Sequence, residues 1–158
     1  MRKCGDCREC CIVLEIKEIN KPAGVFCDKL CAKGCGIYES RPNECRSFDC
    51  LWLTGQIPMR LKPNRVHAVA WMAGIDTPEG EKVPVLRVAF NNLFKRNNMV
   101  QRWVRNVSRR RVVVTVSGKT NEAILNGESA GTWRTGEDTD VTVDRGQIIE
   151  IKPVKSHG

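Results

Sequence analysis

The stretch CGDCRECC, residues 4–11, holds Cys4, Cys7, Cys10 and Cys11 within eight positions. Each Cys-x2-Cys step suits a tight turn that directs two sulfur atoms towards one point. Such a group can form disulfides, act as a redox couple or provide part of a metal site. The remainder of the sequence is needed to choose among these three uses.

The other five cysteines follow at ordered spacings, and none occurs after Cys50; they are Cys27, Cys31, Cys35, Cys45 and Cys50. The odd total of nine opposes a pure disulfide framework. No hydrophobic export signal follows the charged N-terminus, so we expect a cytoplasmic protein with reduced thiols and no membrane span. His67 lies in an apolar, strand-like segment and His157 near the chain end. The pattern therefore predicts a metal site made of sulfur ligands alone.

The doublet Cys10–Cys11 raises the question of how many metals bind. Adjacent side chains diverge on a regular backbone, so the two thiols suit two metals, or one metal ligand and one packing residue. Nine cysteines can fill two four-thiolate sites with one residue left over. Cys4, Cys7 and Cys10 match the first three ligands of a bacterial ferredoxin run, but the fourth cysteine and the proline of that run are missing.

The sequence predicts an α+β fold in three segments. Residues 1–53 form an irregular cysteine-rich module that needs a metal to order it, because the module has little apolar surface to bury. Residues 54–118 form a small α/β platform within the same domain, and residues 119–158 form a β-rich extension, either a hairpin or a meander. The cysteine-rich module packs on the platform.

Local patterns support this division. Strand-like segments occur at residues 65–73, 83–90 and 111–118. Asn97 or Asn98 caps a helix whose apolar face carries Trp103. Three shorter strand signals, EAILNGE, DVTVD and GQIIEIKPV, lie in the tail and are separated by Gly, Asn and Asp turn residues.

The net charge of +8 is concentrated in the middle of the chain, where residues 52–111 hold twelve Lys/Arg against three Asp/Glu. Such a strip attracts nucleic acid or an acidic protein. The residues that we expect to contact nucleic-acid phosphates are Arg102, Arg105, Arg109, Arg110 and Arg111. The alternative interpretation is an ordinary solvated face.

The segment CGIYESRPNECRSFDCLWL, residues 35–53, together with CGDCRECC resembles the YkgJ-type cysteine-cluster family, described as a zinc- or iron-chelating domain. The resemblance covers about residues 4–53. It implies a chelating role for Cys4, Cys7, Cys10, Cys11, Cys27, Cys35, Cys45 and Cys50. Cys31 departs from the family pattern and is left as the spare cysteine.

Sulfur ligation is compatible with zinc and with iron–sulfur clusters. The resemblance extends distantly to flagellin lysine N-methylases, which favours iron–sulfur, and we expect a [4Fe–4S] cluster with zinc as the alternative. Cationic and aromatic neighbours would stabilise the thiolates or cover the site; the candidates are Tyr38, Arg41 and Arg46.

Three functions are compatible with these features. The first is a metal-binding protein with a structural, redox or metal-handling role. The second is a nucleic-acid-binding module with a structural metal site and an arginine-rich face. The third is a small redox or protein-modifying, methylase-like enzyme, although no nucleophile–base pair, paired-carboxylate site or phosphate-binding loop supports it.

Overall fold

A computed structural model describes residues 2–155; His157 lies outside this range. The α-helices are α1 (Cys10–Val13), α2 (Asn43–Arg46), α3 (Pro63–Val66) and α4 (Asn98–Val107). The first strands are β1 (Leu30–Cys31), β2 (Gly34–Cys35), β3 (Ala68–Asp76), β4 (Lys82–Phe90) and β5 (Val113–Ser117). The last four are β6 (Thr120–Leu125), β7 (Glu128–Arg134), β8 (Thr139–Asp144) and β9 (Gln147–Pro153). This arrangement confirms the α+β class.

The central element is a five-stranded mixed sheet with the order β3-β4-β5-β6-β7. All neighbouring strands in it are antiparallel except β4 and β5, which are parallel. A parallel pair needs a crossover connection, and α4 provides it between these two strands. Asn97 caps α4, since its side chain accepts from the amides of Met99 and Val100.

Both faces of this sheet are buried, because alternate residues of β3, β4 and β5 point to opposite sides. Val88 and Val113 face one core, which α4 completes with Val100 and Val104. Val85 and Val114 belong to a second core on the other face. The sheet is thus the middle layer between α4 on one side and further apolar residues on the other.

The hairpin β8–β9 completes the second core by contributing Val141, Ile148 and Ile151. The predicted boundary at residues 118/119 falls within the β5–β6 turn, where Gly118 has a φ of +57°. The sheet therefore continues across that boundary, and β6 and β7 extend the platform. Strand β7 was not predicted, because its polar and small residues give no strong strand pattern.

The cysteine-rich segment lies against the β3 edge of the sheet. The Leu51 amide donates to the Ala70 carbonyl of β3 at 2.8 Å, and Val13 of α1 reaches the second core. Regular structure in this segment is limited to α1, α2, the β1–β2 ribbon and short 3₁₀ turns. Over residues 2–155 there is no helix with the length and apolarity that a bilayer crossing requires.

Candidate metal centre

All nine cysteines are free thiols, and they lie in loops or in the shortest elements of the fold. Cys4 and Cys7 flank a turn in which the Cys7 amide donates to the Cys4 carbonyl at 3.0 Å. Gly5 in that turn has a φ of +58°, a conformation that glycine adopts without strain. The N-terminal Cys-x2-Cys step is therefore a tight turn, as its spacing predicts.

Four thiols form what we call the first set, in which charges on other members raise the pKa values of all but the last: Cys4, Cys7, Cys10 and Cys50. Burial raises the pKa of Cys4, and a negative charge on Cys50 raises it further. Burial also raises the pKa of Cys7, with smaller contributions from charges on Cys4 and Cys50. Because such effects act between neighbouring groups, these thiols lie near one another.

The N-terminus is held beside Cys50 by Arg2. Its guanidinium donates to the carbonyl oxygens of Trp52 and Ile57 at 2.9 and 2.7 Å, and lies 5.3 Å from the centre of the Trp52 ring. These contacts join residues that are 50 and 55 positions apart. They explain how the cysteines nearest the N-terminus come close to the last cysteine of the chain.

The second set consists of four thiols from four different segments: Cys11, Cys27, Cys35 and Cys45. Burial raises the pKa of Cys45, and charges on the other three members raise it further. The Cys27 amide donates to the Cys11 carbonyl at 3.1 Å, which joins the first two segments directly. Cys35 belongs to the β1–β2 ribbon, whose Ala32 carbonyl accepts from Arg8 at 2.5 Å.

Glu18 fixes the helix that carries Cys45. Its carboxylate accepts from the amides of Asn43 and Glu44 at 3.1 and 2.8 Å, at the N-terminus of α2. The Glu44 carboxylate accepts from the Glu18 amide at 3.3 Å in return. This reciprocal pairing satisfies backbone donors that the first turn of a helix leaves free.

The doublet Cys10–Cys11 lies where the two sets meet. A hydrogen bond to Cys11 is the main cause of the raised pKa of Cys10, and the same bond lowers the pKa of Cys11 to about 7. Both thiols lie at the start of α1, so the doublet joins the two sets. Charges on Cys11, Cys7 and Cys4 also contribute to the raised pKa of Cys10, and we group it with the first set, although its charge acts on Lys21 as well.

Lys21 is a buried cation that the sequence prediction missed, and it lies near both members of the doublet as well as near Cys27 and Cys45. Only 5% of the residue is exposed, and its ammonium donates to the carbonyl oxygens of Ile12, at 2.7 Å, and Leu14. Burial lowers the pKa of Lys21, whereas charges on Cys27 and Cys11 raise it. A buried ammonium is unfavourable unless anions or acceptors surround it, so its position favours ionised thiols.

The three predicted neighbours of the metal site have different roles in the structure. The Arg41 guanidinium lies 3.7 Å from the Tyr38 ring centre, and Tyr38 is largely exposed. A positive charge on Arg41 lowers the pKa of Cys11 after stronger effects from Cys10, burial, Lys21 and Arg8. Arg46 is exposed and donates to backbone carbonyls of Arg41 and Glu39, not to a thiol.

A buried polar network connects the first set to the platform. The Glu9 carboxylate, between Cys7 and Cys10, contacts His67 Nδ1 at 2.9 Å and accepts from the Asn91 amide nitrogen at 3.0 Å. His67 was predicted within a strand, but it follows α3 with a φ of +53°. Its ring stacks on Phe94 with 3.7 Å between centres, so His67 positions the cysteine segment.

The donor chemistry of the eight thiols fits a sulfur-binding metal, because all are free and four cations lie around them. The cations that lower a thiol pKa are Arg8, Lys21, Arg41 and Lys62. In the arrangement that residues 2–155 adopt, however, no three Cys, His, Asp or Glu side chains form a group that could hold a metal ion. Cys31 is exposed and belongs to neither set.

We expect Lys21→Met to destabilise the module strongly. Methionine keeps most of the apolar stem but leaves two buried carbonyl oxygens without their donor, so the free energy of unfolding should fall by about 2–4 kcal/mol. Chemical denaturation measures this loss. The control is Lys17→Met, at an exposed position, which should change stability by less than about 0.5 kcal/mol. Equal effects of the two changes would contradict the role given to Lys21.

The five predicted nucleic-acid contacts lie on α4 or directly after it, and all are exposed. They line two neighbouring surface grooves.

Comparison of the chain with known proteins finds no matching family model, no similar curated protein and no similar solved structure.

Proposed function

We propose that residues 4–50 form a metal-binding module that holds two all-thiolate centres. Cys4, Cys7, Cys10 and Cys50 would ligate one centre, and Cys11, Cys27, Cys35 and Cys45 the other. The observation that carries the proposal is the proximity of these free thiols: charges on Cys4 and Cys50 raise the pKa of Cys7, and charges on Cys11, Cys27 and Cys35 raise the pKa of Cys45. Four is the ligand number of tetrahedral zinc and of a [4Fe–4S] cluster.

The surrounding charges support bound thiolates. Four thiolates around a divalent ion leave a charge of about −2, and cationic neighbours reduce the cost of burying it. Lys21 and Arg8 act on Cys11, whereas Lys62 acts on Cys4. Arg41 acts on both cysteines and thus serves both sets.

The preferred group is a [4Fe–4S] cluster, and zinc is the alternative. Either would give the module the cross-links that its small apolar content does not provide. A cluster would in addition supply one-electron redox chemistry when bound.

Aromatic residues lie on the core side of the cysteine-rich segment. Cys50 packs against the core cluster that contains Trp52, which is 5% exposed. Phe48 packs edge-on against Trp71 with 6.0 Å between ring centres. These rings limit water access from the side of the core.

Thiol labelling of the anaerobically purified protein tests the division of the cysteines. N-ethylmaleimide should modify about one thiol, Cys31, in the native protein, because metal-bound thiolates react slowly. Removal of the metal with a chelator under denaturing conditions should expose all nine. The control Cys31→Ser should remove the rapid reaction. Rapid modification of most thiols in folded protein before chelation would oppose the proposal.

A further inference from the structure

The largest groove of the arginine-rich surface has a volume of about 680 Å³ and lies between α4 and the β6–β7 turn. Four guanidinium side chains line it, from Arg60, Arg102, Arg105 and Arg109. Glu128 is the acidic residue among the lining side chains. Within residues 2–155, none of these arginines forms an ion pair, so their charge is available to a ligand.

The walls of this groove are fixed relative to each other through Ser108. Its hydroxyl donates to the Arg105 carbonyl at 2.7 Å and accepts from the Gly127 amide at 2.8 Å. The Asn126 amide donates to the Ser108 carbonyl, also at 2.8 Å. Ser108 is fully buried. The β6–β7 turn is therefore held against the end of α4, and the groove is a built feature of the fold.

An aromatic side chain lies between this groove and its neighbour. Trp103 packs against the first core, as expected for the apolar face of α4, but it is only partly buried and also lines both grooves. The second groove, of about 350 Å³, carries Arg110 and Arg111. The Trp103 indole therefore lies between the guanidinium groups of the two grooves.

We propose that this surface binds single-stranded nucleic acid, a function beyond the metal centres and independent of them. Arg102 and Arg105 lie on α4 and Arg109 in the turn that follows it, seven positions after Arg102; seven helical steps rise about 10 Å. Phosphates on one strand recur about every 3.4 Å along a stacked helix, so the row can reach two or three of them. The part of Trp103 that is not buried offers a stacking surface for a base, which binding of acidic protein does not require.

Fluorescence anisotropy with a labelled 20-nucleotide oligouridylate, using the full chain, tests this proposal. The triple variant R102Q/R105Q/R109Q should bind at least tenfold more weakly than the wild type. The slope of log K against log salt should also fall by about 2, since each single-strand phosphate contact contributes about 0.7. Trp103→Phe should weaken binding several-fold without changing that slope, because stacking is not ionic.

The matched control is K82Q/K119Q/R134Q, which removes the same charge from exposed positions outside both grooves. It should bind within about threefold of the wild type, and circular dichroism should show both triple variants folded. Equal weakening by the two triples, or no binding by folded wild type at low salt, would overturn the proposal. Tighter binding of a 20-base-pair duplex than of the oligouridylate would overturn the single-stranded assignment. If polyglutamate displaced the labelled oligouridylate as effectively as unlabelled oligouridylate does, the partner would be an acidic protein instead, and the proposal would be overturned.

Discussion

Exchange of Cys45 for serine is expected to remove one of two metal centres and leave the other in place. Charges on Cys11, Cys27 and Cys35 raise the pKa of Cys45, which places these three thiols near it. Serine has a similar size but is a poor ligand for the metals that thiolates select. The bound metal of anaerobically purified protein should fall by about half, because each set of four thiols would hold its own centre.

Cys50→Ser provides the reciprocal case. It should also halve the metal content, by removing the first centre, whereas the double variant should retain almost none. Cys31→Ser is the control, and its metal content should equal that of the wild type. Complete loss of metal in both single variants would contradict two separate centres, and full retention in both would contradict ligation by these cysteines. The metal content of each variant is measured by elemental analysis of folded protein isolated by size-exclusion chromatography.

Gly131→Ala is expected to have the largest effect on folding. Gly131 lies in β7 with a φ of +135°, and a Cβ there would overlap the backbone carbonyl of Ile151 in β9. The overlap is with the main chain, so no side-chain rotation relieves it. The β8–β9 hairpin would have to move off the sheet, exposing Ile148 and Ile151, and the free energy of unfolding should fall by at least about 3 kcal/mol.

Gly136→Ala separates this steric effect from the cost of the backbone conformation. Gly136 also has a positive φ, +91°, but open space surrounds the position of its Cβ. Its replacement should cost only about 1 kcal/mol, which is the strain of a left-handed conformation. Chemical denaturation of the two variants, measured together, gives their free energies of unfolding. Equal losses in the two variants would contradict the close approach of β7 and β9.

Much of the platform follows from sequence patterns. The segment at 83–90 matches the observed β4 to within one residue, the segment at 111–118 contains β5, and Asn97 is the cap of α4. These elements have strong local signals: runs of β-branched residues and an apolar helical stripe. Strand β7 lacks such a signal, since it forms by pairing with β6 and packing on β9.

The arrangement around the cysteines depends on contacts that no local pattern encodes. Lysine is usually an exposed residue, yet Lys21 is buried, because its ammonium donates hydrogen bonds to carbonyl oxygens at the end of α1. Glu9 and His67 are 58 positions apart and meet only when the cysteine segment docks on the platform. The spacing of the cysteines predicts their chemistry, whereas the division into two sets requires the three-dimensional structure.

The metal content of wild-type protein isolated anaerobically tests the central claim most directly. The two thiol sets predict two centres per chain, seen as about eight iron and eight inorganic sulfide atoms with a brown visible absorption, or as about two zinc ions without colour. A folded protein that contains no metal and shows nine reactive thiols would contradict the claim.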